Sequence, residues 1–462
     1  MFTIAELATI TGGRIIGQAS GEVCGVSTDS RSLAAHELFV PLSGERFDGH
    51  DYLDVAAKRH AGACLCAESW LQRHTPPAAL SCIGVRDTLR ALGDLAAAYR
   101  KRFALTMIGV TGSNGKTTTK EMLASILGLL DPGLKTSGNL NNLIGLPQML
   151  FQLKPEHCWA VLEMGMSEPG EIDRLAEIAQ PAIGIVLNAF PAHLQSMGSI
   201  EAVAQAKGEL LHRIQDGGLA VINADDHRIA SLAQNPSARR ISFGIKRGEV
   251  RAEEIRSLGV TGQEFKLVTP KGSTVIRLKA LGLHSVSNAL AAAAALLEAT
   301  NLETIARGLE EFTPYNGRFR PERLSGDRIL IDDSYNANPA SCAAALKTLQ
   351  EIKGTRQTLV ALGDMLELGE NEQELHRRLG EQAAAVADRL YLLGPLSSYI
   401  KEGALAAGMP AEAILSANRH DDIAADIITR LTADTLLLVK GSRGMQMEKI
   451  AAAVRAADQR EN

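Results

Sequence analysis

The chain is poor in cysteine, in surplus charge and in long apolar runs, and each shortage removes a class of function. Six cysteines are scattered through 462 residues, and only Cys64 and Cys66 lie close together in the chain. No CxxC or Cys/His ligand spacing occurs, so neither a disulfide framework nor a structural zinc is expected. Lys and Arg number 48 against 53 Asp and Glu, a net charge of −5. That balance excludes a surface built to coat nucleic acid, and an anionic substrate must be met by local basic residues. No stretch approaches the ~20 apolar residues of a membrane span, so membrane insertion is not expected. MFTIAELATITGG has no basic segment leading into an apolar core, which points away from a signal peptide and toward the cytoplasm. Repeats at solenoid periods are absent as well.

What is there is concentrated in LTMIGVTGSNGKTTTKEMLASIL, residues 105–127. A short apolar strand runs into a glycine-rich turn, Lys116 and three threonines follow, and then comes a helix with Met122, Leu123, Ile126 and Leu127 on one face. This is a phosphate cradle. Loop N–H groups of Gly112, Ser113, Asn114 and Gly115 and the positive helix end face the anion, with Thr118 in the first turn. Lys116 reaches the outer phosphates, and Thr117 is placed to ligate magnesium. The strict pattern asks for glycine at position 110, where this chain has Val110. The mechanism survives that departure, and the chain is expected to bind a nucleoside triphosphate.

With 45% hydrophobic and 22% charged residues, a chain of this length is globular and should divide into two to four domains. The expected class is α/β in three domains. Residues 1–84 form a small N-terminal α/β unit and 85–102 a helical connector. Residues 103–312 form a central unit with a mostly parallel sheet. TPYNGRFRPERLSG, residues 313–326, reads as a linker. Residues 327–462 repeat the strand–helix alternation as a smaller unit resembling a dinucleotide fold, but its first turn has no GxGxxG, so no nicotinamide cofactor is indicated. Ligands of parallel sheets collect at the carboxyl ends of the strands, which puts the phosphate loop, Glu163 and Asn188 on one rim. DDSYNANP, ALGDMLELG and VKGSRG supply a second polar rim, and the two should face one another across a cleft.

Glu163, at a strand end facing a triphosphate, suits a second magnesium anchor. In SIEAVAQAKGELLHRI, Lys207 falls at helical spacing with Ile200, Val203, Ala204, Leu211 and Ile214, on the apolar stripe. A buried ammonium needs a partner or a lowered pKa, and a neutral amine can take up carbon dioxide as an anionic carbamate. Snorkelling to the helix edge fits the spacing equally well. His193 suits a metal or phosphate partner, or plain solvation. Asn288 suits a base edge or helix capping. Asn139, Asn141 and Asn142 suit recognition of peptide groups or ordinary turns.

GVTGSNGKTTTK, EMG, LNAFPAH, AKGE, HSVSNALAAAAA and VKGSRG occur in the order found in the Mur ligases, and over essentially its whole length the chain resembles that family of ATP-dependent amide-forming enzymes. GNLNNLIGLP and DDSYNANP further resemble the member that adds D-alanyl-D-alanine to a UDP-N-acetylmuramoyl tripeptide. VSTDSR and FVPLSGERFDGHDYL are similar to a uridine-nucleotide-binding domain. The resemblance implies that Lys116 and Thr117 hold ATP phosphates and magnesium, that Glu163 holds the same metal, and that His193 and a carbamylated Lys207 serve a second. Asn288, Arg318 and Asn336 would contact ATP, with Asp333 and Tyr335 in the same third-domain motif. Ser27, Asp29, Ser30, Arg31, Asp48, Gly49 and His50 would border the uridine nucleotide, and Asn139, Asn141 and Asn142 the peptide. Ser285 stands where relatives often carry asparagine. A monomeric enzyme is expected. The alternatives are a family member adding another amino acid or peptide, and a nucleotide switch without ligase chemistry.

Overall fold

The computed structural model describes residues 1–44, 47–191 and 197–461, and its three main sheets fall in three successive parts of the chain. The first has five strands in the order Arg14–Ile16, Cys82–Val85, Ala63–Ala67, Glu37–Phe39 and Gly25–Ser27. Every neighbouring pair is parallel except the first. ACLCA and CIGV read as unbroken apolar runs because both faces of these strands are covered. The helix Thr88–Arg100 starts where the Asp87 carboxylate accepts from Arg90 N at 2.9 Å, and it turns Ala91, Leu92, Leu95 and Ala96 inward. Arg174 fastens this helix to the middle of the chain by donating to Asp94 Oδ1 at 2.5 Å and to Arg90 O at 3.0 Å.

Strand pairing brings together cysteines that their spacing keeps apart. Cys64 and Cys82 are register partners, Cys66 lies on the same face, and all three are buried free thiols. The Cys64 and Cys82 sulfurs are 2.8 Å apart. Three sulfurs ringing one metal at ~2.3 Å would stand about 4 Å apart, wider than the Cys64–Cys82 pair stands here. The trio packs as small hydrophobes with Leu33, Phe39 and Leu53.

The second sheet has nine strands. Seven are parallel, in the order Gly133–Lys135, Trp159–Glu163, Thr106–Thr111, Ile183–Val186, Leu219–Asn223, Arg239–Gly244 and Val250–Ser257. Gln263–Thr269 and Gly272–Leu278 extend it antiparallel, so the β-rich stretch after Asn223 continues the sheet rather than leaving it. The alanine-rich helix Leu283–Leu296 is buried from Ser285 onward except at Ser287, and packs on one face with Met122, Leu123 and Ile126 of helix Lys116–Leu127. The opposite face packs helices Gly145–Leu150, Glu171–Ala179 and Ile200–His212.

The third sheet orders Arg320–Arg323, Ile329–Asp333, Leu436–Lys440, Thr358–Gly363, Arg389–Leu393 and Ile414–Ala417, parallel except for its first pair. Arg320–Arg323 lies inside the segment whose Pro, Gly and Arg content reads as linker; part of that stretch is thus an edge strand, the place where a sheet tolerates Pro321. Among the described residues, no helix is long and apolar enough to cross a membrane.

Candidate active site

The strand Thr106–Thr111 leaves the sheet into Gly112–Gly115 and re-enters as helix Lys116–Leu127, the strand–loop–helix geometry that phosphate binding requires. Gly115 is left-handed, φ +88°, and a Cβ there would lie 2.3 Å from Asn288 Oδ1. Asn288 therefore sits directly over the loop, and only glycine lets the two approach. Gly115→Ala should raise the KM for ATP by about 10-fold or more, since strain and clash fall on the same turn; steady-state kinetics checks this. Asn188 clamps the loop from the next strand's end. Its Oδ1 accepts from Asn114 N at 2.9 Å and its Nδ2 donates to Asn114 O at 3.1 Å.

Charge is gathered at this mouth. The half-buried Lys116 donates to Gly112 O at 2.7 Å. Burial, and to a lesser degree the nearby Arg318 guanidinium, pull its ammonium down to about 8 against the opposing attraction of Glu163. Lys207 is only 3% exposed on helix Ile200–His212, so the apolar-stripe reading holds and the snorkelling one does not. Burial first, and then repulsion from Lys116, push its pKa well below the usual lysine range. Thr117 donates to Glu163 Oε2 at 3.3 Å and accepts from Arg318 at 3.1 Å. Glu163 Oε1 lies 3.2 Å from Lys120 Nζ, yet makes no hydrogen bond among the described residues. Lys116, Lys120 and Arg318 thus gather about one buried carboxylate, an arrangement suited to an oligoanion.

The second rim meets the first. Arg318 lies over the Tyr335 ring, 3.8 Å from its centroid, while reaching Thr117. Lys440, 1% exposed, pairs with Asp333 at 2.5 Å and donates to Asn336 O at 3.1 Å. Burial nevertheless raises the Asp333 pKa. Burial first, then the Lys440 charge, hold the His284 imidazole down to about 4, so it is neutral near pH 7.

Comparison with known proteins agrees with this geometry domain by domain. The Mur ligase middle-domain model matches residues 110–296, the Mur ligase glutamate-ligase-domain model 317–443, and the Mur ligase family catalytic-domain model 22–100. The UDP-N-acetylmuramoyl-tripeptide–D-alanyl-D-alanine ligase of Escherichia coli (strain K12) is 37% identical over 98% of both chains, and that of Bacillus subtilis (strain 168) 35% over 92% of both. This chain belongs to the Mur ligase family. Among solved structures, MurF from Acinetobacter baumannii superposes with a TM-score of 0.89 at 34% identity, covering 98% of this chain and 99% of that one. MurF from Thermotoga maritima in complex with ADP gives 0.83 at 26% identity, covering 95% and 98%. Like these Mur ligases, the chain is an ATP-dependent ligase that forms a C–N bond.

The remaining expected site residues of this Mur ligase fall into distinct roles. Ser27 ends the edge strand Gly25–Ser27, Asp29, Ser30 and Arg31 follow it, and the exposed Arg31 holds Asp29 at 2.8 Å. Gln148 Nε2 donates to Thr28 Oγ1 at 2.8 Å, linking this loop to the middle unit. Asp48 and Gly49 lie on a neighbouring turn, where the Gly49 backbone presses on Leu42 so closely that a Cβ would meet its N and O at 2.7 Å. His50 follows Gly49 on this turn. It is 3% exposed, with Nδ1 on Asp48 at 2.6 Å and Nε2 accepting from Ala67 N at 3.0 Å, so both nitrogens are spent on shaping the turn. Asn142 Oδ1 accepts from Gly145 N at 2.8 Å, at the start of helix Gly145–Leu150. Asn141 rests against Gly165, and Asn139 is exposed. Ser285 turns its hydroxyl back onto Leu281 O at 2.8 Å. His193 lies outside the described residues. Lys120 beside Glu163 was not expected from the sequence, and Asn338, on the expected DDSYNANP rim, stands beside Asn114.

Proposed function

We propose that this Mur ligase joins the amino group of D-alanyl-D-alanine to the terminal carboxylate of a UDP-N-acetylmuramoyl tripeptide, completing the pentapeptide precursor of peptidoglycan. The observation that carries the reading is the set of cations, Lys116, Lys120 and Arg318, gathered about Glu163 at the mouth of the middle sheet. A carboxylate will not approach a triphosphate until such charges neutralise and align both. Residues 1–84 take the uridine nucleotide, 103–312 the ATP and 327–462 the dipeptide, joined by 85–102 and 313–326.

In this scheme the substrate carboxylate attacks the γ-phosphorus, ADP leaves, and an acyl phosphate forms. The dipeptide amine then attacks the acyl carbon, orthophosphate leaves and the amide remains. Lys116 and Arg318 hold the transferring phosphoryl group through both steps, and Asn188 keeps the loop N–H groups in register. Thr117 and Glu163 fit magnesium, since a hydroxyl and an orphaned carboxylate oxygen converge there. Bound magnesium would spread the triphosphate charge. Lys207, held neutral, fits carbamylation: its nitrogen adds to carbon dioxide, a proton is lost, and the resulting anion sits beside Lys116. With His193 it would serve a second magnesium. A monomer working in the cytoplasm completes the reading.

The test is direct. Incubate the protein with ATP, magnesium, the UDP-muramoyl tripeptide and D-alanyl-D-alanine, and look for the pentapeptide by mass spectrometry. Product that requires all four supports the proposal. Phosphate release indifferent to the dipeptide indicates a nucleotide switch and rejects it.

A further inference from the structure

Between the phosphate loop and the third unit lies a contact that the chemistry above does not use. Asn114 Nδ2 donates to Asn338 Oδ1 at 3.2 Å, and Asn338 Nδ2 donates back to Asn114 Oδ1 at 2.7 Å. Asn338 is 8% exposed and caps helix Pro339–Ile352, its Oδ1 also accepting from Ser341 N at 2.9 Å. Asn114 has its backbone clamped by Asn188, so one loop residue is gripped from the middle sheet and from the third unit together. Reciprocal amide pairs are directional, because donor and acceptor must both match, and this one forms only when the two rims are in register.

We infer that Asn338 is a positioning residue that ties docking of the third unit to the geometry of the phosphate loop and so keeps water off the acyl phosphate. The inference rests on the acyl-phosphate reading. With the pair intact, the amine of the dipeptide is the nucleophile that reaches the acyl carbon. With it broken, the third unit rocks on the loop and water enters. Water then adds to the acyl carbon, the bond from that carbon to the phosphate oxygen breaks, orthophosphate leaves, and the tripeptide carboxylate returns with loss of protons. ATP is consumed without a peptide bond.

The informative variant is Asn338→Asp. Aspartate caps a helix as well as asparagine does, so the fold is kept, but it cannot donate to Asn114 and it turns a charge on that amide oxygen. The measurement is phosphate released per peptide formed, alongside kcat for each. Wild type should give about one, as tight coupling demands, and Asn338→Asp about three or more with an unchanged melting temperature. Asn114→Ala, which leaves the backbone clamp from Asn188, should uncouple to a similar degree. The double variant should be no worse than the more severe single, because both break one contact. A ratio of about one in both single variants overturns the inference, and so do additive effects. A wild-type enzyme that makes no peptide defeats the ligase reading instead, so the two failures are told apart.

Discussion

Lys207→Ala is expected to lower ligation by about 10³-fold, the scale seen when a preorganised charge is removed from a reacting phosphoryl group. The lysine is enclosed on the apolar stripe of its helix, and no hydrogen bond or ion pair reaches it among the described residues. An ammonium without a partner is the costliest group to leave in such a place, whereas a neutral amine is tolerated. The neutral form is the one that captures carbon dioxide, and the carbamate restores a negative charge where Lys116 supplies a positive one. Alanine leaves a space at the end of the side chain, so acetate or formate should enter it and recover part of the activity, read as a rate that rises with added acid. Arginine, permanently charged and unable to form the carbamate, should not be rescued. Full activity in Lys207→Ala would remove the residue from the mechanism.

An equal or larger loss, again about 10³-fold in kcat, is expected for Lys116→Ala. Lys116 is held by Gly112 O inside the loop and is the cation nearest the helix end that receives the phosphates. Arginine should fail to replace it: the fork is wider than an ammonium, and the loop is already tight enough for a Cβ on Gly112 to press within 2.8 Å of Leu187. Because the Lys116 charge also helps hold Lys207 neutral, the two substitutions should be non-additive. Single-turnover kinetics with saturating ATP separates this from weaker nucleotide binding. If kcat is unchanged and only KM rises, Lys116 binds the ground state and does not stabilise phosphoryl transfer.

Local chemistry made much of this site legible from the chain alone. The phosphate loop is a contiguous motif, and Lys207 betrays itself through its place in a helical repeat of apolar residues. That second signal was available once more and went unread. Lys120 lies three and seven residues before Leu123 and Leu127 on the same helical face, and it too is 2% exposed, ion-paired with Glu121 and Glu163. Contacts between distant segments were not legible. Nothing in SNG or NANP announces that Asn114 and Asn338, 224 positions apart, exchange hydrogen bonds. Nothing in the spacing of Cys64 and Cys82 reveals that parallel pairing sets their sulfurs 2.8 Å apart. The linker reading failed at Arg320–Arg323 because composition reports turn propensity, while an edge strand bonded on one side can keep its proline. For His50 the residue belongs to an expected segment, but its ring nitrogens are paired within the protein, which only the hydrogen-bond partners disclose.

The central claim is that cations at the mouth of the middle sheet let a carboxylate attack a triphosphate. Tripeptide substrate labelled with ¹⁸O in its terminal carboxylate tests it most directly, with the released phosphate analysed by mass spectrometry after turnover with D-alanyl-D-alanine. The account predicts one ¹⁸O carried into orthophosphate, because the oxygen that attacked phosphorus leaves with it. Unlabelled pyrophosphate alongside labelled AMP, or no transfer of label at all, would contradict it.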